Sequence, residues 1–427
     1  MTTPQLPRPP KVLHVGSYVS AAPPRMVEYT YYALGFHSIF AQALGISVPM
    51  LAAGMLFVLA AFCLIRLGPR ATVVCAPIRL PLAFALSNLV VQITVHDESI
   101  MAGGMRSFVT WIATLIIIQS LYLRRGFFHR FALVLFVIGL TTLPYLTIGG
   151  VGMHERGSVD RSVITGDFVN ANGLGTWFGF CCLYFTIVGV ETKRDGVRVA
   201  SILVAVGCLY IVGLSVSRGA LLATAIGITI ALRRVLRRGF VPLLVFITFS
   251  GIMYTFGVFD QMTSHYTARG MEETGRMLVW PVVIERILSS PLVGVGLTNT
   301  ATYIPGSRKP IEAHNGFLAV ALASGILPFA LLVAWWIQVT QKAFTYSERL
   351  ADGPFQLPFL VYTFVTTVIG DLAFMGGWGA VTFASIMASS TPYGVRHLVA
   401  PRVETGRMAQ RSGYPAEARA LIAHRRR

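Results

Sequence analysis

"GLSVSRGALLATAIG", residues 213–227, sets one arginine inside a long apolar run. From Val199 to Leu232, Arg218 is the only charged side chain. A charge at the bilayer centre costs about 2.5–3.5 kcal/mol on insertion scales. Either Arg218 is buried at mid-membrane, or the stretch is not one helix. The flanks decide between these. The run begins after "KRDGVR" (193–198) and ends in "RRVLRR" (233–238), and basic clusters mark the cytoplasmic side of a membrane protein. An even number of crossings must therefore lie between them. Two short helices joined at "SVSRG" satisfy this, because Ser and Gly permit a sharp reversal. Arg218 then stands at the outer membrane face. On position alone it is as well explained as an interfacial anchor that snorkels to water.

Composition agrees. Of 427 residues, 54% are hydrophobic and 12% charged, against about 25% charged in a soluble domain. The chain reads as an all-α polytopic membrane protein. The net charge of +17 falls in short clusters between apolar runs, so nucleic acid is not an expected partner. Cys63, Cys75, Cys181, Cys182 and Cys208 lie in or beside apolar segments and suggest neither a disulfide framework nor a zinc site.

A helix rising 1.5 Å per residue needs about 20 apolar residues to cross the hydrocarbon. On that ruler about twelve transmembrane helices are expected, near 30–45, 48–65, 78–95, 106–122, 129–149, 172–190, 198–215, 218–232, 240–258, 315–338, 355–370 and 377–393. Loops at Arg66–Arg79, 123–130, 191–198, 233–239 and 341–349 are basic and lie on one side. The positive-inside rule makes that side cytoplasmic and puts both termini there. Residues 1–28 read as a cytoplasmic tail without the apolar core of a signal peptide. Residues 29–395 read as the membrane domain, and 396–427 as a basic cytoplasmic tail able to meet anionic lipid headgroups.

The opposite face carries the candidate chemistry. Asn170 or Asn172 in "NANG" can cap the helix that follows. An extracytoplasmic helical loop, about 259–313, separates helices 9 and 10. Within it Met277, Leu278, Val282, Val283 and Ile287 follow helical spacing interrupted by Pro281, as in a helix lying on the membrane surface with Arg276 near its start. Gly294-x-Gly296 lacks the strand–helix context of a dinucleotide site and reads as a turn. His314 directly precedes the uncharged run from Phe317 to Trp336, read as one full span.

Two guanidiniums at an outer face suit a lipid pyrophosphate, which they bind bidentately while stabilising its leaving-group charge. A neutral imidazole accepts a hydroxyl proton near pH 7. No His-Glu-x-x-His, Asp-x-Asp or Walker sequence is present, so a mechanism without metal or other cofactor is favoured.

"GDFVNANGLG" (166–175), "SVSRGALLA" (215–223), "TGRMLVWPVVIERILSSPLVGVGL" (274–297) and "AHNGFLAVALASGIL" (313–327) together resemble the bacterial O-antigen ligase and polysaccharide polymerase family. The resemblance covers roughly 165–335. It implies a metal-independent, inverting glycosyltransferase of the inner membrane with its active site on the periplasmic face. The donor would be a glycan on undecaprenyl pyrophosphate, and the acceptor lipid A core or another glycan. By motif position Arg218 and Arg276 would hold the pyrophosphate and His314 would activate the acceptor hydroxyl. Asn172 and Asn315 would support them. The alternatives are a polymerase joining lipid-linked repeat units and, more remotely, a polysaccharide transporter or flippase. A transporter would show internal repeats, mid-membrane charges or helices broken near the bilayer centre.

Overall fold

The computed structural model describes residues 23–36, 49–74, 79–97, 103–122, 124, 126–142, 171–215, 217–236, 276–303, 313–349, 354–370 and 376–390. They form thirteen α-helices: α1 (Arg25–Gly35), α2 (Pro49–Val74), α3 (Arg79–Thr94), α4 (Gly103–Leu121), α5 (Phe127–Thr142), α6 (Ala171–Glu191), α7 (Asp195–Leu214), α8 (Arg218–Leu236), α9 (Arg276–Ser289), α10 (Gly316–Ser324), α11 (Ile326–Arg349), α12 (Gln356–Ile369) and α13 (Gly376–Ser390). A 3-10 turn, Leu297–Asn299, follows α9. The expected span 240–258, most of the 150–171 loop, and the tail from 396 lie outside the described residues.

Among the described residues, three helices are long and apolar enough to cross a membrane: Asn172–Glu191, Asp195–Leu214 and Ile326–Thr345. With the shorter apolar helices they make a multi-pass membrane protein. The first of these is 72% buried and the other two 28% and 33%, so α6 is the central post. α7 lies along its outside with Val199, Ile202, Leu203 and Val206 exposed. Aromatic rings knit α5, α6 and α12 together. Phe128 meets Phe180, Tyr184, Phe355 and Phe359 at centroid distances of 5.4–5.9 Å. Trp177 is fully buried and donates to the Leu135 carbonyl at 2.8 Å.

The helix break expected at "SVSRG" is present. α7 ends at Leu214, and α8 begins at Arg218 with Ser217 as its cap, the Ser217 hydroxyl accepting from Ala220 N at 3.4 Å. α8 then packs against α6 and α12 rather than along α7. Glycines on α6 allow this close approach. A Cβ on Gly175 would stand 2.7 Å from Ser215 Oγ and 2.8 Å from Ala220 Cβ, and one on Gly179 would run into Thr224 Oγ1.

Two expectations are corrected. α2 continues through Arg66 to Val74, where a basic loop was expected; arginine is a good helix former, and a helix can outrun the membrane. The single span 315–338 is two helices. Phe317 and Trp336 are 19 positions apart, which one straight helix would separate by about 28 Å, yet their ring centroids lie 6.1 Å apart. The chain reverses at Gly325, whose φ of 78° suits glycine. α10, with 9 residues, therefore doubles back along the first part of α11 and is too short to cross a bilayer.

The helix read on the 270s and 280s is present as α9 and runs through Pro281. Gly294 and Gly296 form a turn, both with positive φ.

The glycine seam yields a stability test. Gly179→Val should cost about 1–3 kcal/mol through overpacking, read as a lower Tm of the detergent-solubilised protein. Gly207→Ala, where an added Cβ meets nothing within 4 Å, should leave Tm unchanged.

Candidate functional site

The candidate residues fall on two separately braced groups of helices. In the first, Arg218 is the opening residue of α8 and is partly exposed. Its position follows from the turn before it. Ser217 is buried and donates to Asn172 Oδ1 at 2.9 Å, tying the start of α8 to the start of α6. Ser215 Oγ donates to Val212 O at 2.7 Å and closes the end of α7. Asn172 lies inside α6, and its carbonyl accepts from Thr176 Oγ1 at 2.8 Å. Its amide thus braces the Arg218 turn. Asn170 is outside the described residues. α12 completes the group: Tyr362 donates to the Thr176 carbonyl, and Ile369 sits where a Cβ on Gly219 would be.

In the second group, α9 and α10 lie side by side with their starts at the same end. Val279, Val283, Ala313 and Leu322 form their shared apolar core. Trp280 Nε1 donates to the Ala313 carbonyl at 2.9 Å, so the start of the second turn of α9 is tied to the residue preceding His314. Arg276 opens α9, one helical turn before Trp280.

His314 has φ 47°, a left-handed conformation uncommon for a non-glycine residue. Such a backbone costs about 1–2 kcal/mol and is found where surrounding structure over-determines it. Here it steers the chain into Asn315, whose Oδ1 accepts from Phe317 N at 3.0 Å and Leu318 N at 3.1 Å. Asn315 is the N-cap of α10.

The two groups meet across α12. Phe317 packs on Phe364 with centroids 6.1 Å apart, and Gly219 abuts Ile369 five positions further along the same helix. Asn172 and Arg218 are thus joined through Ser217, and Arg276 and His314 through Trp280 and Ala313. Arg286, further along α9, is engaged elsewhere: its Nη1 donates to Ala301 O at 2.8 Å and its Nη2 to Asn299 O at 2.6 Å.

Electrostatically the arrangement is unusual. Cations favour helix C-termini and anions N-termini, by about 0.3–1 kcal/mol each. Arg218 and Arg276 both open helices, the disfavoured end for a cation. A helix N-terminus favours anions, so an arginine placed there belongs with a polyanion more readily than with an isolated helix end. Ser217 and Trp280 were not found by sequence reasoning. Serine ahead of a helical run is a capping signal, whereas nothing local marks Trp280.

The α10 cap is testable. Asn315→Ala removes the acceptor for two backbone donors and should cost about 0.5–2 kcal/mol, seen as faster amide exchange over 316–324. Asn315→Asp keeps an acceptor and should retain protection.

Residues 202–333 match the family model described as O-Antigen ligase. The matched segment opens within α7 and closes within α11, taking in Arg218, Arg276, His314 and Asn315 and leaving Asn172 outside. No curated protein matches the chain. Residues 202–333, which hold three of the four motifs quoted from the sequence, are thus similar to the O-antigen ligase family.

Proposed function

We propose that this protein transfers a glycan from undecaprenyl pyrophosphate to an acceptor hydroxyl at the periplasmic face of the inner membrane. The observation that carries this reading is that Arg218 and Arg276 each open a helix, the one opened by Arg276 lying beside the segment that holds His314. Arg218 and Arg276 grip the pyrophosphate, and as the bond from the anomeric carbon to its oxygen breaks, they take up the growing negative charge. His314 accepts the proton of the acceptor hydroxyl while that oxygen forms the new bond from the opposite face, inverting the anomeric centre. The proton later leaves to solvent. Asn172 acts by fixing the Arg218 turn, and Asn315 by fixing the start of α10. No step calls for a metal.

The acceptor is lipid A core in the ligase reading and another lipid-linked repeat in the polymerase reading. The reversal at Gly325 bears on the transporter alternative, since transporters use interrupted helices whose free carbonyls coordinate ions. In this chain, protein donors occupy the carbonyls at the break: Val295 N reaches Leu322 O at 2.8 Å and Gly296 N reaches Ala323 O at 3.0 Å. That weighs for a fixed scaffold.

Arg218→Ala, Arg276→Ala and His314→Ala should each abolish glycan transfer at near-normal membrane abundance. Cell-envelope glycans on gels provide the readout, and substantial transfer by His314→Ala sinks its role as base. In a deletion strain, polymerised glycan beside bare lipid A core marks a ligase, and single repeat units mark a polymerase. Orientation is tested at Tyr303, which is 68% exposed, rather than at buried Ser217. A single cysteine at Tyr303 should react with an impermeant thiol reagent from the periplasm. Labelling only from the cytoplasm reverses the topology.

A further inference from the structure

The far ends of α9 and α10 are held by a third helix that sequence reading gave no function. The reversal at Gly325 leaves the last carbonyls of α10 beyond the reach of helical donors. Backbone groups of 291–296 take Leu322 O and Ala323 O, and Ile326 N donates back to Pro291 O at 2.9 Å. The two backbones press together so closely that a Cβ on Gly325 would collide with Leu292 O, and one on Gly294 would stand 2.5 Å from Leu322 O.

Into this junction α3 projects Gln92, which is fully buried. Its Nε2 donates to Ala323 O at 3.0 Å and to Ser324 Oγ at 2.9 Å, and its Oε1 accepts from Leu297 N at 2.9 Å. One amide thereby joins the end of α10 to the loop leaving α9. Ser324 Oγ passes its own proton to Asn88 Oδ1 at 2.9 Å, one helical turn earlier on α3. His96 Nε2 lies 2.8 Å from Val293 O and adds a further contact to the same loop.

We propose that Gln92 is a positioning residue for glycan transfer, acting through α9 and α10. These helices run side by side, with Arg276 and His314 at one end and the Gln92 junction at the other. The nine residues of α10 span about 13 Å, and a short rigid rod transmits a displacement at one end to the other. Arg218 belongs to the separate α6–α8–α12 group, so the relation of Arg276 and His314 to it depends on where α3 pins their helices. The inference rests on the transferase reading for its effect on activity, but its structural half stands apart from that reading.

Gln92→Met keeps the side-chain length and removes every hydrogen bond. Full-length protein in detergent should show faster amide exchange over 291–299 and over 313–318, with α6 to α8 unchanged. Cells carrying it should transfer at least ten-fold less glycan at normal membrane abundance. A Gln92 that merely stabilises the fold would instead raise exchange throughout, and that outcome overturns the proposal, as does unchanged exchange over 313–318. Ser324→Ala, which deletes one hydroxyl of the same network, should give the same regional pattern in weaker form and serves if Gln92→Met does not accumulate. Wild-type transfer by Gln92→Met in cells where Arg218→Ala is inactive overturns the positioning role alone. If Arg218→Ala and His314→Ala are both active, the transferase reading fails, and the exchange pattern still decides the junction.

Discussion

A chain that turns around inside an apolar bundle must find partners for the peptide groups its helices can no longer serve. In this protein the reversal at Gly325 imposes that demand, and much of the local structure answers it. Residues 291–297 press their backbone against the end of α10 because its carbonyls need donors. Glycine stands on both sides of the contact because no side chain fits between two backbones so close. A glutamine is buried on α3 because one amide supplies two donors and an acceptor at one place. Without the reversal α10 and α11 would be one rod, and the segment carrying His314 would lie far from Phe364 of α12.

Close packing achieved by small residues is the second theme. Gly175 and Gly179 let α8 settle against α6, and that contact brings Ser217 to Asn172 and fixes the turn that presents Arg218. In a lipid environment helices gain little by hiding apolar surface from one another, so such seams depend on contact and hydrogen bonding. Each half of the candidate site is thus set by backbone proximity, with Arg218 and Arg276 opening helices and His314 just ahead of one.

The helical membrane class was legible from composition and apolar runs, and the α7–α8 turn from the sidedness of charge around Arg218. Both signals follow from the cost of placing charge in hydrocarbon. α9 was legible because Met277, Leu278, Val282, Val283 and Ile287 follow helical spacing. The reversal at Gly325 escaped because its neighbours, Ser324 aside, are apolar, so periodicity carries little information there. The stop signal was nonetheless present, as a glycine followed three positions later by Pro328. α2 escaped in the opposite sense, its arginines having been read as the end of a helix that in fact continues. The candidate site was legible as a set of residue types on one face. Its supporting contacts, such as Trp280 to Ala313 and Gln92 to Leu297, join positions distant in sequence and leave no local trace.

One pair of charges at the start of the fold has a bearing on how the protein is made. Glu28 on α1 is 1% exposed and is gripped by Arg130 of α5, at 2.7 Å to one oxygen and 2.8 Å to the other, with the Tyr32 hydroxyl alongside at 3.0 Å. The carboxylate is synthesised 102 positions before its guanidinium. At about 5–20 residues per second, the ribosome delivers Arg130 roughly 5–20 s after Glu28. Throughout that interval a buried Glu28 would be an unpaired charge, a state costing several kcal/mol. Paired burial of Glu28 therefore has to wait for Arg124 and Arg130, so the first of the described helices completes its docking only after a much later one is made.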